Sequence, residues 1–273
     1  MASAGQSSPH RQAQAASDFE RFAGNPDFVL SLARGLLVIE SFEGHTAGRS
    51  IGEVAQATGL SRAAARRLLL TLETLGYAEN SRRVYRLKTR VLKLGLSYLS
   101  STSLIAAAQP VLERITETLG ESASMCMLDG DQIVYVARSA ASRVLSVGLS
   151  VGSRLPAFCT SMGRVLLAAL PDAELEAFLR DLKPTAFTPK TIVEPRKLRK
   201  AILEVRGQGY ALVNEELEAG LRALAVPVRT RQGRVVAAVN VGANALRMEK
   251  KQMIRRCLPV LERSAQALTD VLL

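Results

Sequence analysis

The segment Gly152-Ser153-Arg154-Leu155-Pro156-Ala157-Phe158-Cys159-Thr160-Ser161-Met162-Gly163-Arg164 carries the residue types of an anion site. A proline-containing loop leads into Thr160 and Ser161, which can cap the helix that follows, so free amides and the positive helix end converge there. Small residues leave the backbone open, and Arg154 just upstream can hold a carboxylate in a charge-assisted, bidentate pair. A purely structural role fits the same residues: an N-capped helix needs Ser or Thr anyway, and Arg154 can pair with Glu218 or Glu215. Cys159, among apolar neighbours and with no base in view, reads as a small core residue rather than a reactive thiol.

A second chemistry is electrostatic. Residues 61–93 hold nine basic side chains (Arg62, Arg66, Arg67, Arg82, Arg83, Arg86, Lys88, Arg90, Lys93) against two acidic ones (Glu73, Glu79), in a chain of net charge +11. Such a density suits a polyanion, because each cation that neutralises a phosphate releases a counterion; a solvated basic face has the same composition.

Other chemistries are poorly provided for. The two histidines, His10 and His45, lie in the first fifth of the chain, so the C-terminal part has no imidazole for a Ser-His or Cys-His pair. No Gly-rich phosphate loop follows a strand, no metal-spaced His/Cys cluster occurs, and neither cofactor, metal nor catalytic residue is expected. Glu215, Glu216 and Glu218 read as solvated loop acids rather than a general acid/base pair. Three scattered cysteines (Cys126, Cys159, Cys257) suggest a reducing compartment. The absence of a signal core or spanning segment points to the cytoplasm, with no membrane partner.

The elements that position these groups follow from local signals. Residues 1–24 read as a disordered tail. Leu32, Leu36, Ile39 and Phe42 recur at helical spacing and define one apolar stripe. Ser50-Ile51-Gly52-Glu53 is a capping box, and Gly59 ends the helix it starts. Ser61 caps another helix, with Ala65, Leu68, Leu69, Leu72 and Leu75 on one side and Ala63, Arg66, Arg67 and Thr74 on the other. Two short strands, 77–79 and 84–87, around an Asn80-Ser81-Arg82-Arg83 turn complete a winged helix-turn-helix over 25–88, its second helix the reader of a double-stranded operator. Its expected DNA contacts are Ser50, Ser61, Arg62, Ala63, Arg66, Arg67, Arg82 and Arg83.

Residues 89–103 form a linker helix with two apolar sides, Leu92, Leu96 and Leu99 on one and Val91, Leu94 and Tyr98 on the other; the second is a candidate dimer contact. Residues 104–273 read as an α+β domain around an antiparallel sheet: strands at 123–128, 133–137, 144–147, 210–213, 221–228 and 235–241, joined by hairpins on one side, and helices grouped on the other. Such a domain resembles small-molecule sensor domains of GAF-like type. An enzyme of small organic acids with an appended DNA-binding domain is the alternative, and the missing histidines argue against it. An RNA-binding protein would need stacking aromatics, which make up only 4% of the chain.

Taken together, several stretches resemble one family. Phe28-Val29-Leu30-Ser31-Leu32-Ala33-Arg34-Gly35-Leu36, Ser61-Arg62-Ala63-Ala64-Ala65-Arg66-Arg67, Leu75-Gly76-Tyr77, and Leu94-Gly95-Leu96 with Tyr98-Leu99 look like the DNA-binding half of the IclR family. Leu128-Asp129-Gly130, Arg154-Leu155-Pro156-Ala157, Thr160-Ser161-Met162-Gly163-Arg164-Val165-Leu166-Leu167-Ala168, Glu216-Leu217-Glu218-Ala219-Gly220-Leu221-Arg222 and Val226-Pro227-Val228 look like its effector-binding half. The branch most resembled is that of the β-ketoadipate-pathway regulators. The resemblance implies a homodimer, paired in some members into a homotetramer, on a palindromic operator near catabolic genes. It also implies an effector near Arg154, Thr160, Ser161, Met162 and Gly163, with a lining continued by Val213 or Asn214, Ala223, Asn240 and Gly242. Ala223, Asn240 and Gly242 replace the hydroxyls and cysteine of the glyoxylate-regulated branch. A larger, partly apolar acid of the protocatechuate, 4-hydroxybenzoate or β-ketoadipate class is thereby implied.

Overall fold

The computed structural model describes residues 19–22, 24–95, 103–141 and 149–271, which fall into two compact units dividing at Tyr98/Leu99. Most of the tail expected over 1–24 lies outside the described residues, but Phe19–Phe22 form a single 3-10 turn whose Phe22 ring stacks on Phe28 at 4.6 Å.

The first unit comprises α1 (Leu30–Glu40), β1 (Arg49–Ser50), α2 (Ile51–Thr58), α3 (Arg62–Thr74), β2 (Ala78–Ser81) and β3 (Val84–Leu87). Its strands pair antiparallel in the order β1-β3-β2. The capping box forms as the sequence predicts, with Ser50 N donating to Glu53 Oε2 at 2.7 Å and Glu53 N donating to Ser50 Oγ at 3.3 Å. Ser61 Oγ likewise accepts from Ala64 N at 3.2 Å, and Gly59 adopts φ 71° between the two helices. Val38, Phe42, Val54, Ala55, Ala65, Leu69, Leu72, Ala78 and Tyr85 form the core.

The stripe expected on α1 holds in its second half and is corrected in its first: Ile39 and Phe42 join the core, but Leu37 and Val38 are the buried residues of the helix, while Leu32 and Leu36 are 62% and 48% exposed. The helix is apolar on two sides, and spacing alone does not select which one a three-helix core covers. The wing is also tighter than its sequence suggests: Asn80 and Ser81 belong to the ladder, paired with Tyr85 and Val84, which leaves a two-residue turn of Arg82 and Arg83. Past the wing, Thr89–Val91 form a 3-10 turn, with the Arg90 guanidinium 5.3 Å from the Tyr77 ring centroid. Leu96, Tyr98 and Leu99 of the expected linker helix lie outside the described residues.

The second unit is a six-stranded antiparallel sheet, in the order β6-β5-β4-β9-β8-β7. Its strands are β4 (Ser122–Asp129), β5 (Gln132–Ser139), β6 (Arg154–Pro156), β7 (Ala211–Asn214), β8 (Leu221–Arg229) and β9 (Val235–Asn244). Its helices are α4 (Ser103–Leu119), α5 (Ser161–Ala168), α6 (Asp172–Asp181), α7 (Pro195–Gln208) and α8 (Lys250–Val271). The strand expected at 144–147 lies outside the described residues, and β6 stands where a loop was expected.

Helices cover both faces of this sheet rather than one. Met125, Val226, Val239 and Val241 face α4 and α8, whereas Cys126, Ala225 and Ala238 face α5, α6 and α7. The reason is written in β9, Val235-Val236-Ala237-Ala238-Val239-Asn240-Val241, which is apolar at both parities; a sheet wet on one face alternates instead.

Candidate functional site

In the first unit, α3 buries Ala65, Leu69 and Leu72 and leaves Ser61, Arg62, Ala63, Arg66 and Arg67 exposed on its other side. Arg66 and Arg67 make no ion pair among the described residues. Arg62 folds back on the preceding helix, its Nη2 3.2 Å from where a Cβ at Gly52 would sit, which places a cation beside the N-terminal turn of α2 and Ser50. Arg82 and Arg83 crown the wing, both exposed. All of the expected set but the half-buried Ser50 are thus exposed on one unit, and none of its arginines makes an ion pair among the described residues.

In the second unit the sheet register decides which residues meet. On the face covered by α5, one row runs Arg138, Ser124, Asn240, Ala225, Ala211 across β5, β4, β9, β8 and β7. The next row runs Ser122, Gly242, Ala223, Val213 across β4, β9, β8 and β7. Glycine and alanine stand at the centre of these rows, where a Cβ on Gly242 would meet Leu221 Cδ1 at 3.7 Å, and polar groups flank them. Arg138 Nη1 donates to Ser124 Oγ at 3.3 Å, while the Asn240 carboxamide has no hydrogen-bond partner among the described residues.

Helix α5 packs on β8 and β9 at this face, and Met162 in its first turn belongs to one buried cluster with Cys126, Ala225 and Ala238. Thr160 caps it, its Oγ1 accepting from Gly163 N at 3.2 Å and donating to Pro156 O at 3.1 Å. A Cβ on Gly163 would come within 2.1 Å of Ala157 O, so only glycine lets the helix start this close to the preceding chain. Thr160, Ser161, Met162 and Gly163 are all buried, and the Ser161 hydroxyl has no partner among the described residues. An enclosed, unsatisfied hydroxyl at the positive end of a helix is poised to donate to an anion.

Two expected pocket residues sit elsewhere. Arg154 pairs in register with Val134, on the face shared with Met127 and turned away from α5, and its guanidinium is taken by Asp129 Oδ2 at 2.6 Å and Gln132 Oε1 at 2.7 Å. Neither Glu215 nor Glu218 is its partner. Asn214 shares its face with Arg222, whose Nε it accepts from at 2.6 Å, so Val213 is the β7 residue on the α5 face. Period-two alternation causes both corrections: a shift of one residue moves a side chain through the sheet.

The buried cation on α5 is Arg164. It makes a bidentate pair with Glu216 at 2.8 and 2.6 Å and donates from Nε to Phe158 O at 3.1 Å. Glu216, expected as a solvated acid, is buried and also accepts from Ile192 N at 3.2 Å. The pair ties the first turns of α5 to the segment after β7. Arg138, Ser122 and Ser124 were missed by sequence reading; the alternation of Ser122 and Ser124 with apolar Ala123 and Met125 was the available signal. Burial pushes the Cys159 thiol up to about 12, so it stays protonated. Among the described residues no cluster suits a metal ion, and no helix is long and apolar enough to cross a membrane.

The model of the IclR helix-turn-helix domain matches residues 31–82, and that of the bacterial transcriptional regulator IclR C-terminal domain matches residues 96–270. The chain belongs to the IclR family of bacterial transcriptional regulators. This IclR-family chain is 47% identical over 250 residues to the Pca regulon regulatory protein of Pseudomonas putida, covering 91% of this chain and 86% of that one. A crystal structure of a transcriptional regulator from Rhodococcus superposes with a TM-score of 0.79 at 47% identity, covering 90% of this chain and 98% of that one. The PobR inducer-binding domain from Acinetobacter, a double mutant in complex with 3-hydroxybenzoic acid, superposes with a TM-score of 0.56 at 33% identity over 59% of this chain and 95% of its own.

Proposed function

We propose that this regulator controls genes of aromatic-compound catabolism in the cytoplasm. Residues 25–88 bind operator DNA, 89–103 link the halves, and 104–273 bind a small aromatic acid of the hydroxybenzoate or protocatechuate class. Insertion of α3 into a major groove is supported by its exposed arginine face. The effector reading rests on one observation: the buried, unpaired hydroxyl of Ser161 at the start of α5, on the helix that covers the row holding Asn240 and Arg138. In this arrangement the carboxylate sits at the first turn of α5 and the ring lies over Gly242 and Ala223, whose small size suits a flat apolar body. The Asn240 amide and the Ser122 and Ser124 hydroxyls are placed to hydrogen-bond ring substituents. The 3-hydroxybenzoic acid bound to the similar PobR domain, and the Pca regulon of the Pseudomonas relative, support the same class.

A single reader helix covers one half-site, so recognition of a palindrome calls for two copies. The exposed Val29 just before α1, with Leu32 and Leu36 on it, supports a homodimer through the DNA-binding units, and a homotetramer follows if the effector units pair as well. Footprinting on the DNA flanking its own gene, repeated with protocatechuate, 4-hydroxybenzoate and β-ketoadipate, tests the function. A protected palindrome whose occupancy changes with an aromatic acid is expected; no protection, or indifference to all three acids, contradicts it.

A further inference from the structure

Away from the effector turn, the C-terminal ends of α5 and α7 meet the β8–β9 hairpin around a cleft of about 240 Å³. The length of α5 puts this cleft roughly 12 Å from Ser161. Val165, Ala168, Val205 and Pro227 give it an apolar wall. Arg206, Arg229 and Arg234 also line it, and among the described residues no acidic side chain does.

The three arginines are not equivalent. Arg206 is committed to the fold: Nε and Nη2 donate at 2.8 Å to Ala168 O and Leu170 O, at the negative end of α5, and Nη1 pairs with Asp172. An anion in the cleft is thereby screened from that helix end. Arg229 spends one nitrogen on Gly233 O at 3.0 Å, and the Arg234 guanidinium has no hydrogen bond or ion pair among the described residues. Arg229 stands opposite Val235, the neighbour of Arg234, so the two arginines with spare donors leave the chain from adjacent positions. Like charges this close oppose the hairpin rather than hold it.

We propose that this cleft is a second ligand site, for a small phosphomonoester with a short apolar body. Such a group carries about two negative charges at pH 7 on a single head, which matches two cations set side by side in the chain; a dicarboxylate keeps its charges apart. Guanidinium groups pair bidentately with phosphate oxygens, and the apolar wall covers the carbon body of the ester. The volume lies below the roughly 300–1,000 Å³ of pockets for drug-sized ligands, which keeps the ligand to metabolite size.

Calorimetric titration of the full chain with phenyl phosphate, with and without an excess of 4-hydroxybenzoate, tests the proposal. Binding should persist in the excess and weaken by at least about tenfold in R229A/R234A, the loss expected for hydrogen bonds to a charged group. It should stay unchanged in R231A, whose guanidinium belongs to the same hairpin but donates to Asp270 O at 3.1 Å. R234A alone, with no partner to lose, should weaken binding at the wild-type melting temperature. Inorganic phosphate should bind more weakly than phenyl phosphate, and adipate more weakly than either. No heat with phenyl phosphate, an equal loss in R231A, or adipate as tight as the phosphates would overturn the proposal. Displacement by 4-hydroxybenzoate would put the probe in the effector site, and weaker operator binding by R229A/R234A without added phosphate would give these arginines to the DNA backbone; either result overturns it too. All of these failures leave α3 as the reader and the effector turn of α5 as they stand.

Discussion

Replacing Ser161 with Ala should separate what the effector site does for the fold from what it does for the ligand. Ser161 is enclosed, and its Oγ lacks a partner among the described residues. An unsatisfied buried hydroxyl costs about 1–3 kcal/mol in desolvation, so its removal leaves the ligand-free protein as stable or more so. A gain of about 1 kcal/mol in a unit of this size raises the melting temperature by roughly 2–4 °C. In the bound state the sign reverses. A hydrogen bond from this hydroxyl to a carboxylate contributes about 1.5–3 kcal/mol, so affinity for 4-hydroxybenzoate should fall by about 10- to 150-fold. Calorimetric titration of the full chain gives the affinity, and thermal denaturation without ligand gives the stability. A melting temperature several degrees lower with unchanged affinity would mean that the hydroxyl serves packing, and the placement of the carboxylate would be wrong.

Other outcomes follow from the same geometry. Glu216→Ala strips a buried guanidinium of its bidentate partner and should destabilise the effector unit by about 3–5 kcal/mol, read by chemical denaturation. The double variant R164M/E216L should recover part of that loss, since Phe158 O and Ile192 N also lose a partner; an equal or greater loss would contradict the reading that the unpaired charge is the main cost. Glu121 is buried with one oxygen unpartnered, and burial raises its carboxyl above the ordinary value despite nearby Arg247 and Arg256. Its folded form therefore holds a proton more tightly than the unfolded chain: that contribution is full below the unfolded value and lost as pH rises through the raised one. Glu121→Gln should accordingly gain melting temperature relative to wild type at pH 7, and the gain should shrink at pH 4; a gain that grows on acidification would reverse the sign.

The local signals of the sequence translate directly into structure. The capping box at Ser50, the caps at Ser61 and Thr160, and Gly59 all act over three or four residues, and each is found where its pattern places it. Strands β4, β5, β7, β8 and β9 are legible for the same reason, whereas β6 stands where a loop was expected. What escapes is decided by partners distant in sequence. Arg154 and Arg164 look alike as candidate cations, yet one pairs across an exposed turn with Asp129 and the other, half a helix into α5, with Glu216, 52 residues away. Asn214 and Val213 are adjacent, and only the pairing with Arg222 and Ala223 says which faces α5. On α1 both sides are apolar, and the tertiary core selects the one holding Leu37 and Val38. The candidate site is thus half visible from sequence: the α5 turn is a local motif, whereas the opposite wall, Ser122, Ser124 and Arg138, emerges from register.

The central claim is that α3 reads DNA through its exposed arginines, and operator affinity of the Arg66→Ala and Arg67→Ala variants tests it most directly. Both side chains are exposed and unpaired among the described residues, so folding should be untouched. Fluorescence anisotropy on the footprinted duplex should show, for at least one of them, a loss of about 1–3 kcal/mol, or roughly 5- to 150-fold, with relaxed base preference at one position of each half-site. Wild-type affinity and unchanged sequence preference in both variants would contradict the account.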